Sequence, residues 1–338
     1  MIPERKMRIF LAGDAVSGTG PANVTKYYID NLPEGTLYQK RRSKLLRVPE
    51  IIINTLKADV VVYSGYSKQN ILGLKFAKKL KKPSAYLMHG CVEYENGINL
   101  EPDEKMNAVE RKTLELSDLV LAVSESFSRW LKEYYPMYAG KIDYVTNGID
   151  TDLIHNAKKR EEKSRHMIFS IGGGMPRKKI KYICEAVKKL RAEYDKDMYL
   201  CVIGDKGADS LEVDSYDFVD NRGLVSFSEA VDLFSEAAVF VQNSCFETFG
   251  LAPIEALVCG CPILCSKHVG ALGLVKDLHD EDVINNYDDP DEIASKIRYI
   301  IENPNAKRLI ADLEWESNSW KIRSRDLAGK LSELVLGK

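Results

Sequence analysis

Glu247 and Glu255 lie eight positions apart in SCFETFGLAPIEALVCGCP, residues 244–262, a segment that is otherwise apolar or small. Burying an unpaired carboxylate costs several kcal/mol even after relaxation, so either both acids reach solvent or they serve a ligand. The run VFVQNS ahead of them reads as a strand and CFETFG as a loop. APIEALVCG then reads as a helix with Pro253 near its start and Gly260 at its stop. Glu247 thus precedes the helix and Glu255 stands about one turn inside it. The N–H groups of Phe249, Gly250 and Leu251 at that helix tip suit an anion such as a diphosphate. Carboxylates repel phosphate, so their partners must be neutral hydroxyls flanking it. A diphosphate between polyhydroxylated groups is a nucleotide sugar.

Other candidates are weaker taken singly. The cations Arg177 and Lys178 in SIGGGMPRKK are either a solvated helix start or a clamp for phosphate. Cations at a helix N-terminus oppose its dipole, which favours the clamp. His89, in MHG after a strand, reads alone as a turn residue. The early loop AGDAVSGTGPAN has Thr19-Gly20 where a Walker motif needs Lys-Ser/Thr, and Asn23 where a dinucleotide fingerprint needs a small residue. Gly18, Thr19 and Gly20 therefore form either a tight turn or a flexible loop admitting a phosphate or sugar to backbone N–H groups. Asp150-Thr151-Asp152 and Asp280-Glu281-Asp282 have the spacing of metal-holding pairs. One sits in a linker and the other in a turn before a short strand, and both read as solvated acidic turns. No metal and no cofactor are expected.

Positioning these groups falls to an alternating series. Apolar, β-branched runs recur as RIFLAG, ADVVVYSG, SAYLMHG, DLVLAVS, HMIFSIGG, YLCVIG, AAVFVQNS and PILCS. Helical patterns lie between most of them, as in IKYICEAVKKLRAEY, where Ile180, Ile183, Val187 and Leu190 recur at helical spacing. This is the pattern of an α/β protein with doubly wound parallel sheets. The polar, charged stretch 146–166 divides the chain into residues 1–150 and 151–321. Three helices without strands close it, over 291–302, 305–316 and 323–336, with the segment 322–338 expected to pack back on the first domain. Ligands of such sheets bind at a cleft, here the one expected between two facing domains.

With these residues in view the chain resembles the retaining glycosyltransferases of family 4, which have the GT-B fold of two facing Rossmann-like domains. ETFGLAPIE looks like the E-x7-E motif of that family, and the other matches follow in the family's order. They are the glycine loop, MHG, AVSE, TNGID at the linker, SIGGGMPRKK, VIGD, the Gly223 turn and ESNSW. The resemblance implies that Glu247 contacts hydroxyls of the transferred sugar and Glu255 the nucleoside ribose. It implies that Phe249, Gly250 and Leu251 hold sugar and phosphate, and that Lys178 with Arg177 stabilises charge on the leaving diphosphate. It puts His89 near the anomeric centre and acceptor, and the base near Gly223 and Leu224. Gly173 departs from the pattern, standing where the family usually carries an arginine. The expected activity is transfer of a hexose, with retention, from a nucleotide diphosphate sugar (UDP-sugar favoured, GDP-sugar second) to a hydroxyl of a glycan or lipid-linked acceptor. Polysaccharide or lipopolysaccharide assembly is the expected setting. A catalytically silent partner subunit and a nucleotide-sugar epimerase are the alternatives.

Composition agrees with a soluble globular chain: 45% hydrophobic and 29% charged residues, with no apolar run of membrane-spanning length. The charged opening MIPERKMRIFLAG does not read as a signal peptide. Seven cysteines, an odd number without a C-x-x-C pair, read as reduced core thiols of a cytoplasmic protein. Residues 1–150 hold 22 Lys+Arg against 18 Asp+Glu, and the remainder 26 against 32. Two basic stretches, Lys40–Arg47 and Lys75–Lys82, are either plain solvated faces or contacts with anionic lipid at the inner face of the membrane. No nucleic-acid reader motif is present.

Overall fold

Strands covered by helices on both faces must be apolar at every position rather than at alternate ones. In β1 (Ile9–Ala12), β3 (Val60–Ser64) and β4 (Ser84–Met88) every residue is buried, and apart from the serines at one end of β3 and of β4 the positions are apolar or aromatic. The computed structural model describes residues 7–41, 43–150, 164–311 and 313–337. Contacts divide these into two compact units.

The first unit takes in the residues up to Glu93, then Asp103–Ile149, and the terminal stretch from Glu316. Its sheet runs β2-β1-β3-β4-β5-β6, with β2 Leu37–Tyr38, β5 Leu119–Ala122 and β6 Ile142–Tyr144. All its pairings are parallel, in a register set by contacts such as Ile9 against Val60 and Val61 against Ser84. The strand order reverses between β1 and β3. Loops leaving the C-terminal ends of those two strands therefore diverge and leave a crevice between them. The last helix, Trp320–Leu336, belongs to this unit through Trp320, whose ring stacks on Tyr27 at 4.7 Å and meets Tyr28 edge-on at 5.4 Å.

The second unit comprises Tyr94–Pro102 and Asp150–Trp315. Its sheet runs β12-β11-β10-β7-β8-β9, again all parallel. The strands are β7 Met167–Ile171, β8 Tyr199–Ile203, β9 Val219–Asn221, β10 Val239–Gln242, β11 Ile263–Ser266 and β12 Val283–Ile284. Order reverses between β7 and β10, so the loops after these strands share the second crevice. Helix Ile180–Glu193 buries Ile180, Ile183, Val187 and Leu190, the four positions its periodicity predicts. Across the sheet Phe169, Phe234 and Phe240 form a ring cluster with centroids 5.1–5.6 Å apart.

Some expectations change. Tyr94–Pro102, which falls within the expected first domain 1–150, groups with the second unit. The helix expected over 305–316 is Ala306–Ala311, followed by a buried Leu313. The linker residues 151–163, including Thr151 and Asp152 of the first acidic tripeptide, lie outside the described residues. None of the seven cysteines is in a disulfide. No described helix is long and apolar enough to cross a membrane.

Candidate active site

Glu247 sits in the loop after β10, and Arg177 and Lys178 in the loop after β7, the two strands at which sheet order reverses. The backbone ties these loops together: the Cys245 N–H donates to the Arg177 carbonyl at 2.9 Å. Glu247 Oε2 then accepts from three donors: Lys178 Nζ, Arg177 Nη1 at 3.3 Å and Gln242 Nε2 at 3.2 Å. All three charged side chains are largely buried, 12% exposed for Glu247 and Lys178 and 18% for Arg177. Burial alone would raise the Glu247 pKa, but Lys178 and Arg177 outweigh it and hold the carboxyl at about 2. Burial pulls the Lys178 ammonium down and Arg177 repels it, which Glu247 offsets only in part. Arg177 stays firmly charged: burial opposes this, and Glu247 and Glu95 reverse it.

The glycines of SIGGGM make this approach possible. A Cβ on Gly172 would stand 2.5 Å from Lys178 Cγ, so a bare residue is what lets the lysine stem lie across β7. Gly173 has φ +57°, and a Cβ there would come 1.8 Å from the Asp205 carbonyl oxygen. No side chain fits without rebuilding the backbone. The arginine that the family resemblance would put at this position is therefore sterically excluded here, and Arg177 is the guanidinium this loop does carry.

Two groups on Arg177 come from the segment Tyr94–Pro102. Glu95 Oε2 lies 3.7 Å from Arg177 Nε, and Asn99 Oδ1 accepts the Arg177 N–H at 3.2 Å. Sequence reasoning missed both, and Gln242 as well. Glu95, in the short helix Val92–Ile98, and Asn99, in the turn after it, lie about eighty residues upstream, and no local signal marks them.

Downstream of Glu247 the chain turns through Phe249, which is buried, and Gly250, at φ +79°, into helix Ala252–Val258. Glu255 lies in that helix's first turn. Burial pushes its carboxyl up to about 7, and the negative charge of Asp150 adds to the shift. The two glutamates of one motif thus face opposite electrostatics: one is neutralised by cations, the other is held near its titration point. Gly223, at φ +66°, accepts the Gly204 N–H at 2.8 Å, which sets the β9 turn against the β8 loop; Leu224 beside it is 74% exposed.

In the first unit His89 follows β4 and lies half-buried, with Nε2 2.7 Å from Ser64 Oγ. Burial lowers its pKa to about 4, so the imidazole is neutral near pH 7. Glu110, itself buried, accepts the Val92 N–H at 2.8 Å and the Tyr86 hydroxyl at 3.3 Å, which fixes the turn that follows His89. Gly18 (φ +76°), Thr19 and Gly20 form an exposed turn leading into helix Gly20–Asn31, with Thr19 as N-cap.

Two expected roles change. Asp282 is not a solvated acid: it is 2% exposed and bonded to Arg308 Nη2 at 2.7 Å and Asn305 Nδ2 at 2.7 Å. Leu74, just ahead of the stretch Lys75–Lys82, and Ala77 within it are fully buried, so these apolar side chains face the core and not lipid. Lys82 Nζ donates to the Leu56 carbonyl at 2.7 Å and also to that of Ala58, which closes the end of helix Lys44–Lys57.

A crevice holding two cations and a carboxylate at the switch point of a parallel sheet suits a nucleotide-dependent transferase. Two family models match in succession: Glycosyltransferase Family 4 over residues 4–153 and Glycosyl transferases group 1 over residues 152–312. The chain belongs to this group of glycosyltransferases. It is 21% identical over 278 residues to the uncharacterized glycosyltransferase MJ1178 of Methanocaldococcus jannaschii, covering 80% of this chain and 74% of that one. To the MMP α-(1→4)-mannosyltransferase of Mycolicibacterium hassiacum it is 26% identical over 208 residues, 60% of this chain and 49% of the relative. Among solved structures, Anabaena HepE in complex with UDP and glucose superposes with a TM-score of 0.69 at 15% identity, covering 97% of this chain and all of that one. At that identity the likeness shows the fold, which is GT-B.

Proposed function

We propose that this chain is a retaining hexosyltransferase that takes a hexose from a UDP-sugar to a hydroxyl of a glycan or lipid-linked acceptor. The observation that carries the reading is the buried Glu247–Lys178–Arg177 cluster. Two cations held by one carboxylate form a preorganised site for a diphosphate. When the donor binds, its phosphates share Lys178 and Arg177, and the relieved Glu247 accepts hydrogen bonds from sugar hydroxyls. As the glycosidic bond breaks, negative charge grows on the leaving diphosphate, and cations already in place stabilise it without reorganisation. Glu255 takes the ribose hydroxyls, and the backbone of Phe249, Gly250 and Leu251 takes sugar and phosphate. Gly223 and Leu224 border the base, Gly18, Thr19 and Gly20 lie toward phosphate or acceptor, and His89 acts as the acceptor-side group. The reading needs neither a metal nor a cofactor. The structure with UDP and glucose in a protein of like fold supports UDP as the nucleotide to try first. The test is turnover: the protein with UDP-hexoses and a panel of glycan acceptors, product anomers read by NMR. An inverted product overturns retention. A protein bound to UDP-hexose that neither transfers nor hydrolyses it overturns the assignment of an active enzyme.

We also propose an anionic bilayer as the surface met by the stretch Lys40–Arg47. Helix Lys44–Lys57 leaves Leu45, Leu46, Ile53 and Leu56 between 49% and 85% exposed. Leu46, Pro49 and Ile53 line a groove of 560 Å³ beside Lys40 and Arg41. An apolar ridge rimmed by cations matches the acyl-headgroup boundary of acidic lipid, each cation adding about 1 kcal/mol. Arg47 takes no part, since its guanidinium binds Gln39 and Asn70. Sedimentation with phosphatidylglycerol vesicles is expected, and loss of it in Ile53→Glu/Leu56→Glu. Equal sedimentation of that variant, or self-association without lipid, removes the proposal.

A further inference from the structure

Arg47 stands half-buried in the first turn of helix Lys44–Lys57, where two neutral amides hold its guanidinium. Its Nε donates to Gln39 Oε1 at 2.9 Å and its Nη2 to Asn70 Oδ1 at 3.2 Å. Both amides are fixed with oxygen toward the cation, because their nitrogens donate elsewhere. Gln39 Nε2 gives to the Arg41 carbonyl at 3.4 Å, and Asn70 Nδ2 to the Gly65 carbonyl at 3.0 Å. Gln39 follows β2, while Gly65 follows β3 and Asn70 opens the helix beyond it. Those two strands flank β1, so Arg47 spans the ends of three strands at the crevice where sheet order reverses.

This guanidinium is aimed but not neutralised. Burial pulls its pKa down, and Asp14, Glu50 and Tyr63 offset that only in part. Both carboxylates are engaged elsewhere: Asp14 accepts the Val16 N–H at 2.9 Å, and Glu50 the N–H groups of Lys40 and Arg41 at 2.9 Å each. Three of the five Arg47 N–H groups have no acceptor among the described residues. Acids are also missing where helices commonly carry them. Helices Gly20–Asn31, Lys44–Lys57 and Lys68–Lys79, which follow β1, β2 and β3, have none in their first turns. Helices Glu104–Leu116 and Glu125–Tyr134 of the same unit open on glutamate. A partly desolvated cation without a matching carboxylate calls for a negative group from outside the chain.

We propose that Arg47 is a specificity-determining residue of the acceptor site, where it takes an oxyanion, phosphate or carboxylate, carried by the acceptor. A guanidinium offers paired N–H groups at the spacing of two such oxygens. Asp14, whose charge reaches the same guanidinium, disfavours a ligand of high negative charge. A glycan with one acid group among neutral hydroxyls therefore fits better than a polyanion. That the oxyanion belongs to an acceptor rests on the sugar-transfer reading above; the oxyanion site does not.

The test is ¹H–¹⁵N correlation of the arginine Nε–H groups in the full chain, with Arg47→Gln to assign the Arg47 signal. Glucose 6-phosphate and glucuronate are expected to shift that signal at millimolar concentration, and glucose to leave it in place. Gln39→Glu sets a carboxylate where the neutral amide oxygen lies. It neutralises Arg47 in the fold and is expected to abolish the response. In transfer assays a uronate-bearing glycan and a glycan on a lipid phosphate separate the two sources of the oxyanion, each against a neutral glycan. The ratio of kcat/KM for acidic over neutral acceptor is expected to fall on the order of tenfold or more in Arg47→Gln and in Gln39→Glu, since a charge-assisted contact is lost. Should Arg47→Gln fail to fold, Arg47→Lys assigns the signal in its place. A signal that neither acid moves, or that glucose moves as far, overturns the site. An undiminished response in Gln39→Glu does the same. A response to the acids without preference for acidic acceptors overturns the role toward acceptor. A chain that responds to the acids and transfers to no acceptor refutes the proposed function and leaves the oxyanion site standing.

Discussion

Replacing Glu247 by Gln keeps the shape of the side chain and removes the carboxylate that Lys178 and Arg177 share, leaving Glu95 beside Arg177. The Glu247 carboxyl is held at about 2 against an ordinary 4.5. A gap of two to three units is worth roughly 3 kcal/mol in favour of the ionised, folded state. Removing one partner of a buried pair costs about 3–5 kcal/mol, so the two routes agree on about 3. Because the pKa is depressed in the fold, this stabilisation is present in full above pH 4.5. It is lost as pH falls toward 2. For a unit of this size each kcal/mol moves the melting midpoint by about 2–4 °C, so Glu247→Gln should melt roughly 6–12 °C lower at pH 7. The assay is calorimetry with and without UDP, reading the transition of the second unit. UDP should raise the midpoint of the variant by more than that of the wild type, because its diphosphate supplies the anion the cations have lost. Transfer from UDP-hexose should nevertheless be abolished, since no carboxylate remains for the sugar. An unchanged midpoint refutes the energetic argument. A smaller UDP shift in the variant refutes the idea that carboxylate and diphosphate share the same two cations.

Glu255, held at about 7 by burial and by Asp150, predicts the opposite sign. Its raised pKa means the protein loses stability as pH climbs from 4.5 to 7, so Glu255→Gln should be the more stable form at pH 8. Ribose hydroxyls favour the ionised acid, so wild-type UDP affinity should rise between pH 6 and 8 by calorimetric titration, and stay weak and flat in the variant. A flat wild-type profile counts against ribose contact. Gly173→Arg should fail to add a useful cation and should unfold more readily, given the 1.8 Å approach to the Asp205 carbonyl. A stable, more active variant would show that the loop can rebuild.

What the sequence made legible follows burial. The eight apolar runs it displays are the eight interior strands of the two sheets. The four edge strands differ: β2, β6 and β9 left no run, and β12 only a short one after the acidic turn. Edge strands here are two or three residues long, and β2 and β9 have no buried residue, so hydrophobicity has nothing to mark. The site divides in the same way. Glu247, Lys178 and Arg177 stand out because charge in an apolar or glycine-rich setting needs a reason, and such reasons are local. Their pairing with one another is not local. It depends on β7 and β10 being neighbours although about seventy residues separate them, which is the point where sheet order reverses. Glu95 and Asn99 are further still, about eighty residues from Arg177. Chemistry that depends on one unusual residue is visible in a linear chain. Chemistry that depends on which two loops a reversed strand order brings together appears only when the fold has chosen its neighbours.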